Sequence, residues 1–110
     1  MSGNRLTAPG QLYPGDFLRS NNNAATATFL ANGNFVVTTT KQVWESSSTG
    51  NGGAFIIMQS DGNLVIYDGN DKPVWATDTG GKGGPASQLC LSDDGQLQIL
   101  DGGKLIWSRH

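Results

Sequence analysis

At 110 residues, 16 of them glycine and only 15% charged, the chain has the size of one domain that buries roughly two-thirds of its unfolded surface. A net charge of -2, with seven scattered basic residues, offers no footprint for nucleic acid or an anionic membrane. No apolar run is long enough to span a bilayer, which argues against membrane insertion. Where a secretory signal needs an apolar core, the first twenty residues carry polar groups, Pro9 and Gly10. The compartment stays open: without such a signal the chain is expected to be cytoplasmic or released by a signal-independent route.

Abundant Thr, Asn, Ser and Gly without apolar spacing at the helical period predict an all-β chain of strands joined by tight turns. The opening, residues 6–18, carries Pro9-Gly10 and Pro14-Gly15 as turn signals, and Asp16-Phe17-Leu18 starts a short strand. After a turn at Asn21-Asn22-Asn23, a strand pair spans residues 25–40 around Ala31-Asn32-Gly33. The same pattern returns twice more, with turn glycines at Gly33, Gly62 and Gly95 and aliphatic-Trp pairs at Val43-Trp44, Val74-Trp75 and Ile106-Trp107. The chain thus reads as one domain, 1–110, with three internal repeats at about 25–46, 54–77 and 87–108.

A unit of this length cannot bury its apolar face alone. Three sheets closing on a shared axis bury all three faces and turn the polar faces outward. The recurring tryptophans are expected in a central core cluster rather than as ligand platforms. Cys90, the single cysteine, aligns with Ile57 and reads as a buried small hydrophobe.

The second repeat contains the most distinctive stretch, Gln59-Ser60-Asp61-Gly62-Asn63-Leu64-Val65-Ile66-Tyr67. A three-residue loop, Ser60-Asp61-Gly62, closed by a left-handed glycine pairs Gln59 with Asn63. Gln59, Asn63, Val65 and Tyr67 then share one face, and Met58, Leu64 and Ile66 the other.

Catalysis is not indicated. His110, the only histidine, is the last residue, expected to fray and unable to serve Cys90 or a serine as base. Asp61 has no carboxylate partner on its own face for glycosidase chemistry. Asp68-Gly69-Asn70-Asp71 hints at a calcium loop, but the twelfth position is Thr79 rather than Glu and the required glycine is missing. Gly80-Gly81-Lys82-Gly83-Gly84 lacks the Lys-Ser/Thr opening of a phosphate-binding helix and reads as a flexible loop. No metal or cofactor is expected.

Sugar binding suits the polar face. Each hydroxyl of a hexose is both donor and acceptor; Asn and Gln can match both roles, Asp accepts, and Tyr adds a directed hydroxyl. Val65 offers an apolar seat to the ring's C–H face. The competing reading is an ordinary solvated face around an Asp-Gly-Asn turn.

The spacing Gln59-x-Asp61-x-Asn63-x-Val65-x-Tyr67 resembles the QxDxNxVxY mannose-binding motif of the monocot mannose-binding, or bulb-type (B-lectin), family. Residues 74–80, Val-Trp-Ala-Thr-Asp-Thr-Gly, resemble the segment that follows it. With the three repeats and the Leu12-x-x-Gly15-x-x-Leu18 opening, the likeness covers nearly the whole chain. It implies a β-prism II fold, three four-stranded antiparallel sheets around a pseudo-threefold axis with tryptophans inside, and a metal-independent lectin for terminal mannose or oligomannose. By the same likeness Asp61 and Asn63 hold the axial 2-hydroxyl, Gln59 the 3-hydroxyl and Tyr67 the 4-hydroxyl, with Val65 against the C3–C4 edge.

In the first repeat the motif positions read Leu30, Asn32, Asn34, Val36 and Thr38, so Asn32, Asn34 and Val36 form only a degenerate candidate site. In the third they read Ser92, Asp94, Gln96, Gln98 and Leu100. One competent site of three is expected. The disulfide of the family's plant members would fall near Gly33 and Ala54, where this chain has no cysteine. The family also suggests a homodimer that exchanges the C-terminal strand Leu105-Ile106-Trp107. The alternative functions are a protein-interaction scaffold whose sugar sites have decayed, or a defence or toxin protein built on the lectin module.

Overall fold

A computed structural model describes residues 3–109, and His110 lies outside the described residues. The fold is all-β: three four-stranded sheets, each wholly antiparallel. Three strands come early and are three residues each: β1 (Arg5–Thr7), β2 (Gly10–Leu12) and β3 (Phe17–Arg19). The rest follow as three meanders. The first is β4 (Thr26–Phe29), β5 (Phe35–Thr38) and β6 (Gln42–Glu45). The second is β7 (Gly53–Met58), β8 (Leu64–Asp68) and β9 (Pro73–Ala76). The third is β10 (Ser87–Leu91), β11 (Leu97–Asp101) and β12 (Lys104–Arg109).

Each repeat therefore supplies three strands of a sheet, and the opening segment supplies the fourth. β3 joins the first meander, β2 the second and β1 the third. Sequence reading expected turns and one strand in the opening. The structure adds two more, because a three-residue strand has one inward position and shows no alternation. Leu6, Leu12 and Leu18 are those positions, and all three are buried.

Residues two apart alternate between the shared core and the outside. Leu64 and Ile66 of β8 enter the core with Ile56 and Met58 of β7, all without exposed surface; Leu89, Leu91, Leu97 and Ile99 do the same in the third sheet. Each such side chain contributes about 1.5–3 kcal/mol of hydrophobic stabilisation.

The tryptophans cluster as expected: Trp44 lies 5.8 Å from both Trp75 and Trp107, edge to face. Only Trp107 is buried, while Trp44 and Trp75 are half-buried against the core. The fully buried centre is aliphatic with Phe29 and Phe35, so the interior is not filled by tryptophan. The indoles sit on the last strand of each meander, at the edge of the sheet. Cys90 is buried, and burial pushes its thiol pKa up against a smaller opposing pull from Arg5.

One outward face departs from expectation. β7 reads Ala54-Phe55-Ile56-Ile57-Met58, an unbroken apolar run, so while Ile56 and Met58 point inward, Phe55 and Ile57 are turned outward. β7 is therefore apolar on both sides of the second sheet.

The first hairpin of each meander closes with the same loop. Gln59 N–H donates to the Asn63 carbonyl at 2.9 Å, Gly62 N–H to the Gln59 carbonyl at 3.1 Å, and Gly62 has φ +92°. The bonds between Leu30, Gly33 and Asn34 and between Ser92, Gly95 and Gln96 repeat this arrangement. Where the family disulfide would fall, Gly33 and Gly53 touch: a Cβ on Gly33 would lie 3.2 Å from Gly53 N.

Candidate functional site

The five motif residues sit on the outer face of β7 and β8. Asp61, in the loop, accepts Asn63 N–H on Oδ1 at 3.0 Å, and its carbonyl accepts the N–H groups of Gly81 at 2.9 Å and Gly83 at 3.1 Å. Residues 80–84 are thus fastened to the turn rather than loose. Their glycines serve close approach: a Cβ on Gly62 would lie 2.6 Å from Gly83 N.

Asn63 is oriented by a latch of two threonines. Its Oδ1 accepts Thr77 Oγ1 at 3.1 Å and Thr79 N–H at 3.2 Å, which turns Nδ2 the other way. Thr77 Oγ1 in turn accepts Leu64 N–H at 3.1 Å, and Thr79 Oγ1 donates to the Gly62 carbonyl at 2.7 Å. Asn63 Nδ2 and Asp61 Oδ2 face the same gap, for a Cβ on Gly80 would lie 3.7 Å from the first and 3.3 Å from the second. A donor and a carboxylate acceptor bordering one gap can serve a hydroxyl, which needs both.

Gln59 Nε2 donates to the Tyr67 hydroxyl at 2.6 Å. With its oxygen used as acceptor, that hydroxyl is left to donate outward, and the bond polarises it for doing so. Each sheet has a bulge where its third strand pairs with its last, here between Ile66 and Tyr67, which re-aims Tyr67. Val65 is only 3% exposed, a methyl edge rather than a broad seat. The accessible apolar surface beside it belongs to Ile57, its partner across the ladder, and to Phe55.

The first sheet repeats the latch with serines. Asn34 Oδ1 accepts Ser46 Oγ at 3.0 Å and Ser48 N–H at 3.2 Å, and Ser48 Oγ donates to the Gly33 carbonyl at 2.8 Å. There, however, the outward amide is already taken: Asn34 Nδ2 donates to Glu45 Oε1 at 2.8 Å, while Gln42 donates to Glu45 Oε2 at 2.9 Å. Glu45 pairs with Val36 as Ala76 pairs with Val65, so one sheet places a carboxylate where the other places a methyl. Asn32 Oδ1 accepts Asn34 N–H at 3.0 Å and its carbonyl accepts Gly50 N–H at 2.9 Å, and Val36 is buried. In the third hairpin Ser92 Oγ donates to Asp94, and Gln96 stands where the second sheet has Asn63.

The latch was not read from the sequence. Its signal is present, since Ser46-x-Ser48 and Thr77-x-Thr79 follow Trp44 and Trp75 at the same offsets.

Among the described residues no group of three or more His, Cys, Asp or Glu could hold a metal ion. Asp68 caps its own turn, and the amides of Lys72 and Asn70 hold its carboxyl below the usual range. Among the described residues no helix is long and apolar enough to cross a membrane.

Three four-stranded antiparallel sheets, one built on each repeat, define a β-prism II domain. No family model matches the chain. B-type lectin plumieribetin of Scorpaena plumieri is 32% identical over 105 residues, 96% of this chain and 93% of that protein. The mannose-specific lectin of Galanthus nivalis is 48% identical over 61 residues, 52% of this chain but only 38% of that protein. The snowdrop mannose-specific agglutinin, solved with methyl-α-D-mannoside, superposes with a TM-score of 0.79 at 31% identity, covering 88% of each chain. This chain belongs to the B-type, or bulb-type, lectin family. Its relatives are lectins, which bind carbohydrate and do not transform it.

Proposed function

We propose that the chain binds terminal mannose of glycans at one site per chain, formed by Gln59, Asp61, Asn63, Val65 and Tyr67. The observation that carries this reading is the Asn63 amide, locked by Thr77 and Thr79, with Nδ2 and Asp61 Oδ2 both bordering the gap at Gly80. The same amide in the first sheet is occupied by Glu45. The mannose-specific relatives, one of them solved with methyl-α-D-mannoside, support the choice of sugar.

Four or five hydrogen bonds at about 1 kcal/mol net each amount to roughly 4–5 kcal/mol, near millimolar affinity for one sugar. Useful avidity then calls for linked sites. A homodimer through β12 is the proposed source, since β12 is the outer strand of its sheet and Leu105 on it is 51% exposed. A monomer mass at micromolar concentration contradicts that part.

Calorimetric titration with methyl α-mannoside and methyl α-glucoside tests the central reading. One mannoside per chain and at least tenfold weaker glucoside binding are expected, about the 1.4 kcal/mol that one net hydrogen bond supplies. No response, or equal response to the two sugars, contradicts it.

Two variants probe the site's supports. Thr77→Val removes the hydroxyl that serves both Leu64 N–H and Asn63 Oδ1. It is expected to cost about 1–3 kcal/mol in chemical denaturation and to weaken mannoside several-fold. Glu45→Ala frees Asn34 but leaves Leu30 and Thr38 where the second sheet has Gln59 and Tyr67, so stoichiometry is expected to stay at one. A second mannoside bound by that variant would show that Glu45 alone closes the first face.

A further inference from the structure

A hollow of about 310 Å³ opens where residues 80–84 pass the start of β12, lined by Lys82, Lys104, Leu105 and Ile106. Its volume reaches the roughly 300 Å³ at which small-molecule pockets begin, and none of the five motif residues lines it. Two ammonium groups therefore border one space whose other lining is aliphatic. Asp101 stands opposite Lys104 across the ladder, yet among the described residues neither lysine side chain has a hydrogen-bond or ion-pair partner.

Both lysines stand on fixed backbone. Lys82 N–H donates to the Thr79 carbonyl at 3.1 Å, and its neighbours Gly81 and Gly83 both donate to the Asp61 carbonyl. A Cβ on Gly83 would lie 2.8 Å from Ile106 Cδ1, so this glycine lets the loop lie directly on β12. Lys104 opens β12 and pairs with Asp101. Lysines recur where each meander makes its second turn, as Lys41, Lys72 and Lys104, but the loop after the first meander places Asn51 where this one places Lys82. The Asn51 and Lys82 amides donate alike, to Ser48 and Thr79. Two lysines thus share one hollow through the choice of a single side chain on a repeated loop.

We propose that this hollow binds a phosphate monoester carried on a small apolar body. Two cations match a dianion, and a phosphate monoester, with its second pKa near 6, is mostly dianionic at neutral pH. Lysine serves phosphate as a point charge. The loop's backbone amides are spent on Thr79 and Asp61, so the anion meets side-chain charge rather than the backbone cradle of a phosphate-binding loop. Leu105 and Ile106 take the apolar body out of water. The site is separate from the motif site and does not depend on what that site binds.

The test is a titration of the isotope-labelled full chain with phenyl phosphate, read by NMR at the backbone amides of residues 81–84 and 104–106. Saturable shifts confined to those residues are expected. Inorganic phosphate, which lacks the ring, and benzoate, which lacks the second charge, should each bind about tenfold more weakly. Lys82→Gln and Lys104→Gln should each weaken phenyl phosphate about tenfold and Lys41→Gln not at all; both lining lysines are exposed, so the variants are expected to fold. Raising salt from about 0.01 to about 0.15 M, which shortens the screening length from about 30 to about 8 Å, should weaken binding several-fold. Light scattering on the same samples identifies the species that binds, because Leu105 also lies on the strand proposed to join two copies. Absence of saturable shifts, in monomer or dimer, overturns the proposal. So does binding that survives loss of both lysines, that Lys41→Gln weakens equally, or that benzoate matches.

Discussion

Asp61→Asn is expected to weaken methyl α-mannoside binding about ten- to hundredfold while the thermal midpoint stays within a few degrees of wild type. The carboxylate does two separable jobs. Oδ1 closes the turn by accepting Asn63 N–H at 3.0 Å, a bond that an asparagine oxygen also accepts. Oδ2 is the acceptor proposed for the sugar hydroxyl; in the variant an amide NH2 stands in its place, so a hydrogen bond to a charged group, worth about 1.5–3 kcal/mol, is lost outright. Asp61→Ala removes both and should lose stability as well as binding. Calorimetry with a parallel melting curve separates the two effects; wild-type affinity in Asp61→Asn would place the sugar elsewhere.

Gly62→Ala is expected to cost about 3 kcal/mol or more in stability. At φ +92° any L side chain is strained, by about 1–3 kcal/mol. A Cβ here also lies 2.6 Å from Gly83 N and 2.9 Å from Gly83 Cα, atoms of backbone that cannot rotate aside. The Gly83 N–H to Asp61 carbonyl bond would be pushed open, with about another 1 kcal/mol lost. Gly15→Ala is the control: its φ is +94°, yet nothing lies within 4 Å of the added Cβ, so only strain is charged. At about 4–8 °C per kcal/mol for a domain near this size, the two melting points should differ by several degrees or more. Equal melting points would mean that the contact with residues 80–84 carries no stability.

What the sequence reveals and hides follows the range of each interaction. Hairpins are local, so the loops at Gly33, Gly62 and Gly95 and the alternation through Leu64, Val65 and Ile66 can be read directly, and three copies of them imply three sheets. β1 and β2 are too short to alternate, and their pairing with β10 and β7 is long-range, so only the six-residue spacing of Leu6, Leu12 and Leu18 hints at them. The side chains of the candidate site are legible for the same reason as the hairpin that carries them. Their supports are not: Thr77 and Thr79 reach Asn63 from 14 and 16 residues away. The glycine-rich stretch 80–84 suggests freedom to a reader of composition, yet its glycines permit a backbone contact with Gly62. Glu45 becomes meaningful only once the β5–β6 register sets it opposite Val36.

One sheet face of three is proposed to do the binding, and a crystal soaked in methyl α-mannoside tests that most directly. The expected result is sugar density on the β7–β8 face alone, with one hydroxyl bonded to both Asp61 Oδ2 and Asn63 Nδ2. Density on the face of Asn34 and Glu45 or on that of Gln96 and Gln98, or a sugar on the second sheet that does not touch Asp61, would contradict it.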